Sequence, residues 1–567
     1  MMNNVFTKNK MLGLLLGATM ATSLLSGCTL IDSDTKAADV QTEDGKVAVV
    51  FHQNYSGAEE LDPVIVDKDA VVGEDLIPQV SREGYSFAGW YTEKKPKHSD
   101  GQYENEWVYG DKYLQYGATP PEDEEPDSMP VTESLDLYAR WAKPVEISKA
   151  SDLDKVREDL SGYYILTDDI DLSEYDNWTP IGNYLPEYEM TNPQWWFEGF
   201  RGTFDGNGHK ITGLNITNPQ NGSALIAAAG NATIKNVTIE NYTISGSSKK
   251  GVYTCPLLGF GLGNDTLIEN CHTSGTIDLK VDNSEDDMVY CGITGLTAGC
   301  WGGVIRNCSA TGTIKANINV PNGSEINIGG INGEGYTQTY NCQTDMNIVV
   351  DVNSDAKPVA ETDQHTDVYV GGTQGAATVV KNCTAKGSID VSISKAKGVS
   401  SINAGGLVEQ ARYDSIEDNI SQVDISIRDG KTVYAGGVVG SYNTGVYGMI
   451  GAMSGIVRND IKNAIVLGSI NINDTYSRDE ILVGPAVSKS PEGNENPMLK
   501  MFLSEDSMPS YNTSGVVYLN SVYHFENVDG TYAYNSKDDL YGTKLKDILG
   551  DNWTYEDNKL PTPVVIE

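Results

Sequence analysis

The ten residues IRNCSATGTI, positions 305–314, return in variants down the chain, and this recurrence constrains the fold more than any other feature. The copies TIKNVTIENYTI, LIENCHTSGTI, VIRNCSATGTI, QTYNCQTDMNI, VVKNCTAKGSI, SIEDNISQVDI and DIKNAIVLGSI place Asn236, Asn270, Asn307, Asn341, Asn382, Asn419 and Asn463 at intervals of 34, 37, 34, 41, 37 and 44 residues. An apolar residue usually stands two before the Asn, Gly five after it in four of the seven copies, and Ile seven after it in five. In the sixth copy Ile416 is displaced by one. Self-similarity at such a period marks units that cannot bury their own apolar face and must stack to share a core.

Two further elements keep step with the Asn. CPLLGFG, CGITGLTAG, NIGGINGEG, YVGGTQGAA, NAGGLVEQA and YAGGVVGSY precede it, and β-branched alternating runs such as GTIDLKV, GTIKANINV and GSIDVSIS follow it. Three short strand candidates per repeat, separated by Gly, Asn and Asp, describe one turn of a three-sided coil. The expected fold is all-β, a right-handed parallel β-helix. Successive turns lie about 4.8 Å apart, so a residue meets its own equivalent in the next turn. An Asn amide both donates and accepts, so the seven Asn are expected to form a structural ladder at a corner.

Cys271, Cys308, Cys342 and Cys383 follow the Asn in a slot that Val237, Ile420 and Ala464 fill elsewhere, which points to packing rather than reactivity. Cys255 and Cys291 are read as sharing another slot, four before Gly259 and Gly295. Stacked Cys pairs would come within reach of a disulfide, and the sequence leaves that pairing open. Spacings of tens of residues without accompanying His argue against a metal site.

Composition narrows the partners. With 59 Gly, 31 Tyr against 9 Phe and 21% charged residues, the chain suits a turn-rich, extracellular β protein. A formal net charge of -39 repels phosphate backbones and excludes nucleic acid as a partner. At the N-terminus Lys8 and Lys10 precede an apolar run from Met11 to Leu25 that ends in LLSGC. The run is shorter than the roughly 20 residues that span a bilayer. It resembles the lipobox of bacterial lipoproteins, which implies cleavage before Cys28 and lipid attachment at its thiol, so that the membrane becomes a partner through the N-terminal lipid. Residues 29–45 are polar and aperiodic and read as a flexible tether.

Residues 46–142 have a different texture. KVAVVFHQ is a strand-like run, and GYSFAGWYTE (84–93) and LDLYARW (135–141) carry clustered aromatics. These motifs resemble the Listeria–Bacteroides repeat, or internalin B-repeat, which implies a small β-grasp-like domain serving as spacer or binding module. Trp90, Tyr91, Tyr138 and Trp141 are read as core, since so small a domain needs large side chains inside it. The insertion from Lys94 to Glu133, with TPPEDEEPDSMP, reads as a mobile acidic loop.

Residues 146–216, including DLDKVREDL and FRGTFDGNGHKITGLNI, resemble the opening segment of β-helical bacterial surface proteins with GLUG repeats. AGGLVEQ and AGGVVGS approximate the GLUG element itself. The expected division is a cap and first turns over 146–216, GLUG-like repeats over 217–500, and closing turns with a C-terminal cap over 501–567. DLDKVREDL is read as a capping helix with Ser151 as its N-cap, FDGNGHK as a tight turn, and Trp553 as a lid on the last coil.

No catalytic constellation stands out. The His-Glu-x-x-His of metallopeptidases is missing, and Asp168, Asp169, Asp171 and Asp205 each have a local explanation as strand-edge or turn acids. The expectation is a non-catalytic protein without cofactor or metal, an adhesin or recognition protein for a surface glycan or a host or bacterial protein. It would be lipid-anchored and exposed outside the cytoplasmic membrane. Tyr184, Tyr188, Trp195 and Trp196, in the insertion 183–200, are the candidate binding loop. A carbohydrate-active β-helix enzyme and a purely structural envelope component are the alternatives.

Overall fold

The computed structural model describes residues 35–565, apart from 74–75, 96–106, 108–129, 183–198, 264–265, 284–288, 322–323, 336, 357–365, 378, 395–399, 412–414, 431, 443–457, 473–479, 485–509 and 520–530. The chain divides into two compact units, with the boundary in sequence between Ala142 and Lys143.

The first unit is a four-stranded mixed sheet of β1 (Lys46–His52), β2 (Val64–Asp67), β3 (Ser86–Tyr91) and β4 (Leu135–Ala142), in the order β2-β1-β4-β3. β1 runs parallel to β4 at the centre and each carries an antiparallel partner outside, the β-grasp arrangement of strands. Phe51 and Trp90 meet edge to face at 4.8 Å beside buried Val49 and Leu137. Trp90 belongs to the core, Tyr91 is buried outside it, and half-buried Trp141 packs against it and donates its indole N–H to Gln53 O at 2.5 Å.

Two expectations about this unit are corrected. Trp107, from the insertion read as a mobile loop, is buried against Phe51 and donates its backbone N–H to Trp90 O. Ala37, within the supposed tether, is buried and its N–H bonds Asp136 Oδ1 at 3.0 Å. Apolar area outweighed loop-like composition at both places.

The second unit is a parallel β-helix, as the repeat predicts. Its described residues include a 21-stranded sheet and two seven-stranded sheets. Each coil uses four strands rather than three. In one coil these are Val304–Arg306, Ser309–Pro321, Glu325–Gly329 and Asn332–Glu334. The first two belong to the same wide sheet, folded at Asn307. Pairing is parallel and in register with the coils on either side.

The slots of the repeat now have physical causes. Ile277, Ile314, Ile348, Ile389, Ile425 and Ile470 form one buried column, each worth about 1.5–3 kcal/mol relative to exposure. Gly312, at φ 142°, is required because a Cβ there would lie 2.0 Å from Gly275 O in the neighbouring coil. Cys271, Cys308, Cys342 and Cys383 are all buried free thiols, in keeping with the packing role. Cys255 and Cys291 do not share a slot. Tyr253 pairs with Gly292, so Cys291 lies opposite Val252, and Cys255 sits in a separate small core with Tyr253, Phe260 and Ala298.

Both ends differ in detail from expectation. The capping segment is a 3₁₀ turn, Ala150–Leu153, followed by a short helix, Asp154–Glu158. Its N-terminus is not capped by Ser151. Instead Asp152 accepts from the backbone N–H and hydroxyl of Ser148, while Leu153 and Val156 cover the first coil. Trp553 is not a lid on the open end. With Leu540, Leu545 and Leu549 it packs sideways against Ile420, Ile465 and Val517 on the outer wall.

Candidate functional site

The corner is the most ordered chemical feature of the solenoid. Asn236, Asn270, Asn307, Asn341, Asn382 and Asn463 all adopt left-handed backbone, φ 52° to 55°, which Asn tolerates better than other side chains. The ladder starts at Asp205 and runs upward. Asn236 Nδ2 donates to Asp205 Oδ1 at 2.9 Å, Asn270 to Asn236 at 2.8 Å, Asn341 to Asn307 at 3.0 Å, and Asn382 to Asn341 at 3.2 Å. Asn419 is not a member. Asp418, at φ 57°, takes the corner and receives Asn463 Nδ2 at 3.0 Å. Asn419 points inward in the Cys slot, bonding Cys383 N at 2.8 Å and Val380 O at 2.9 Å.

Beside the ladder runs a column of charge. Lys235 pairs with Asp205 at 3.3 Å and Arg306 with Glu269 at 2.7 Å, and Glu417 bridges Lys381 at 2.7 Å and Lys462 at 3.2 Å. Burial pushes Glu417 upward, but the two lysines outweigh it and hold the carboxyl below its ordinary value. Alternating sign along the column opposes slippage of one coil against the next.

His272 interrupts the ladder. Its Nε2 lies 3.1 Å from Asn270 Oδ1 and its Nδ1 lies 2.8 Å from Ser309 Oγ in the next coil. Among the described residues no bond joins Asn307 to Asn270. Burial lowers the imidazole's proton affinity.

Past the corner the long strands form a polar outer wall. Asp278, Lys280, Lys315, Asn317, Asn347, Asp424 and Arg428 are exposed on it. A second amide chain, Asn353 to Asn319 to Asp282, and Arg428 bound to Asp351 and Asp390 at 3.1 and 3.0 Å tie its coils together.

Three of the four acids that were candidates for catalysis have structural roles. Asp169 accepts from Lys210 N and lies 3.4 Å from His209 Nδ1, Asp171 accepts from Ser173 N and is lowered by that bond, and Asp205 anchors the ladder. Asp168 is simply exposed. Among the described residues no group of three or more His, Cys, Asp or Glu could hold a metal ion. Cys28, Tyr184, Tyr188, Trp195 and Trp196 lie outside the described residues. Sequence reasoning missed the Ser309–His272–Asn270 contact. Its only trace is a lone His in a slot that holds Thr238, Gln343 and Thr384 in other coils.

No known protein family's profile matches the chain. Halomucin of Haloquadratum walsbyi is 30% identical over 142 residues, 24% of this chain but 1% of that protein's length. Two solved structures match part of the chain. One is a Bacteroides ovatus protein provisionally assigned as an immunoglobulin A1 protease, with 16% identity, TM-score 0.33, and 65% of this chain matching 91% of that one. The other is an IgA1 protease, with 14% identity, TM-score 0.35, and 68% of this chain matching 23% of that one.

Proposed function

We propose that this is an envelope recognition protein, held to a membrane through lipid on Cys28, whose solenoid displays a binding face for a surface glycan or a protein. The observation that carries this reading is the outer wall beyond the Asn corner. Strands such as His272–Asp282, Ser309–Pro321 and Gln343–Ala356 lie in register, and their outward side chains are carboxylates, amides, hydroxyls and a few cations. Amides and carboxylates at one coil spacing can meet successive hydroxyls of an extended glycan, or the basic face of a protein. The net charge of -39 disfavours polyanions. Of the four candidate acids, Asp169, Asp171 and Asp205 are engaged in local bonds and in the ladder, which supports binding without turnover.

A glycan and matrix-protein array probed with the full chain tests this. Binding should weaken at least tenfold when Asn317 and Asn347 are both changed to Arg. An array without hits, or release of reducing ends from a bound polysaccharide, would defeat it. The anchor is tested separately by incorporation of a labelled fatty acid, which Cys28→Ala should abolish.

A further inference from the structure

Ser309, His272 and Asn270 form a chain of three side chains across two adjacent coils, partly exposed on the outside of the corner. The amide of Asn270 fixes the chemistry of the ring. Its Nδ2 is committed to Asn236 Oδ1, so the atom that faces His272 is the oxygen, which can only accept. His272 Nε2 therefore carries the hydrogen, and Nδ1 presents its lone pair to the Ser309 hydroxyl at 2.8 Å. Half-burial favours the neutral ring that such a lone pair requires. The nearest charges in the adjacent column, Glu269 and Arg306, are paired with each other.

A hydroxyl, a neutral imidazole within hydrogen-bond reach and a third group that orients the ring make up the arrangement of an activated nucleophile. The stack gives up a link to build it, for the ladder is broken at this coil and not at the coils immediately before and after it. We propose that Ser309 is a nucleophile with His272 as its general base and Asn270 as the positioning residue, and that it accepts an acyl group from an activated ester or thioester. Ser309 Oγ attacks the carbonyl carbon, and the bond from that carbon to the departing oxygen or sulfur breaks. The hydroxyl proton passes to His272 Nδ1 and from there to the leaving group, so an ester on Ser309 and a free alcohol or thiol result. This is a covalent acceptor site at the corner end of the strands whose further residues form the wall proposed for recognition, and it does not rest on that reading.

A fluorophosphonate probe reports on such a serine, since Oγ–P forms, P–F breaks and His272 takes the proton. The full chain is labelled while folded, then denatured and digested with trypsin, which releases residues 307–315 with Ser309 as their one serine. General-base activation predicts labelling about a hundredfold faster than at exposed Ser514. His272→Gln should bring the rate down to that of Ser514. No adduct on this peptide, or a rate unchanged in His272→Gln, overturns the proposal. Should the variant fail to fold by circular dichroism, labelling of the wild-type chain in urea decides. Loss of the adduct supports the proposal, and labelling that persists without the fold refutes it.

Discussion

Trp553 donates its indole N–H to Asp418 Oδ1 at 3.1 Å, joining residues 135 apart in sequence. The same oxygen accepts from Asn463 Nδ2 at 3.0 Å, so one carboxylate serves both the corner ladder and the C-terminal segment. Asp418 Oδ2 faces a third donor, Asn552 Nδ2 at 3.5 Å, and an Asn would present its own N–H2 there instead of an acceptor, which gives a reason for Asp at this corner. A second tie lies further down the corner, where Asn382 Nδ2 donates to Val564 O at 3.0 Å.

Trp553→Phe keeps most of the apolar contact with Ile465 and Leu549 and removes the donor. A hydrogen bond to a charged group is worth about 1.5–3 kcal/mol, so amides of the segment 540–555 should exchange roughly tenfold or more faster. Hydrogen exchange followed by mass spectrometry reads this directly. Unchanged protection there would mean that packing alone holds the segment.

The corner itself can be dissected at Asn341, which donates to Asn307 and accepts from Asn382. Asn341→Ala loses both bonds and puts a Cβ residue without a polar side chain at φ 54°. Left-handed backbone costs about 1–2 kcal/mol and each neutral bond about 1 kcal/mol. Asn341→Gly loses the bonds but accepts the backbone, so denaturant melts should rank wild type above Gly and Gly above Ala. Equal losses for the two variants would show that φ contributes nothing at this corner.

Much of this was legible in the repeat and some of it was not, for reasons of register. The Ile, Gly and Cys slots follow from counting residues, because in-register stacking maps each slot to one column. The sixth copy is offset by one residue: counting from Asn419 leaves Ile416 out of place, whereas counting from Asp418 restores Ile416 and Ile425 to their columns. Asp and Asn both tolerate left-handed backbone, so residue type alone could not choose between them. The sideways cap was also written in the sequence. The column of Thr238, His272, Ser309, Gln343 and Thr384 turns apolar at Ile420, Ile465 and Val517, where Trp553 covers it. Only the register shows that these three share one outward face. The Ser309–His272 contact joins residues 37 apart that no local motif connects.

The thiols should be inert in the folded chain. Burial pushes Cys291 up to about 11 and Cys300 up to about 12, and raises Cys271, Cys308 and Cys342 well above the usual range. Thiolate, the reactive form, is then scarce at pH 8 and has no path to solvent. A disulfide reagent should modify none of the seven described cysteines before unfolding and all seven after it. Cys342→Val, a substitution close in volume, should cost less than about 1.5 kcal/mol. Fast reaction of any one of them in the folded chain would contradict the packed column.

The bridge at Glu417 makes a pH-dependent contribution to stability with a definite sign. Its carboxyl is held below its ordinary 4.5 in the folded chain, because hydrogen bonds and charge from Lys381 and Lys462 exceed the opposing effect of burial. A depressed carboxyl stabilises the fold above the unfolded value and loses that contribution as pH falls through the folded one. At pH 7 Glu417→Gln should therefore lower the denaturant midpoint, leaving two lysines without their shared partner. As pH drops from about 5 toward 3 the difference between wild type and variant should shrink, since protonation converts the native side chain to a neutral one as well. Paired denaturant titrations across that range measure it. A gap that stays constant with pH would mean that the two ion pairs seen at this column contribute shape but no charge energy.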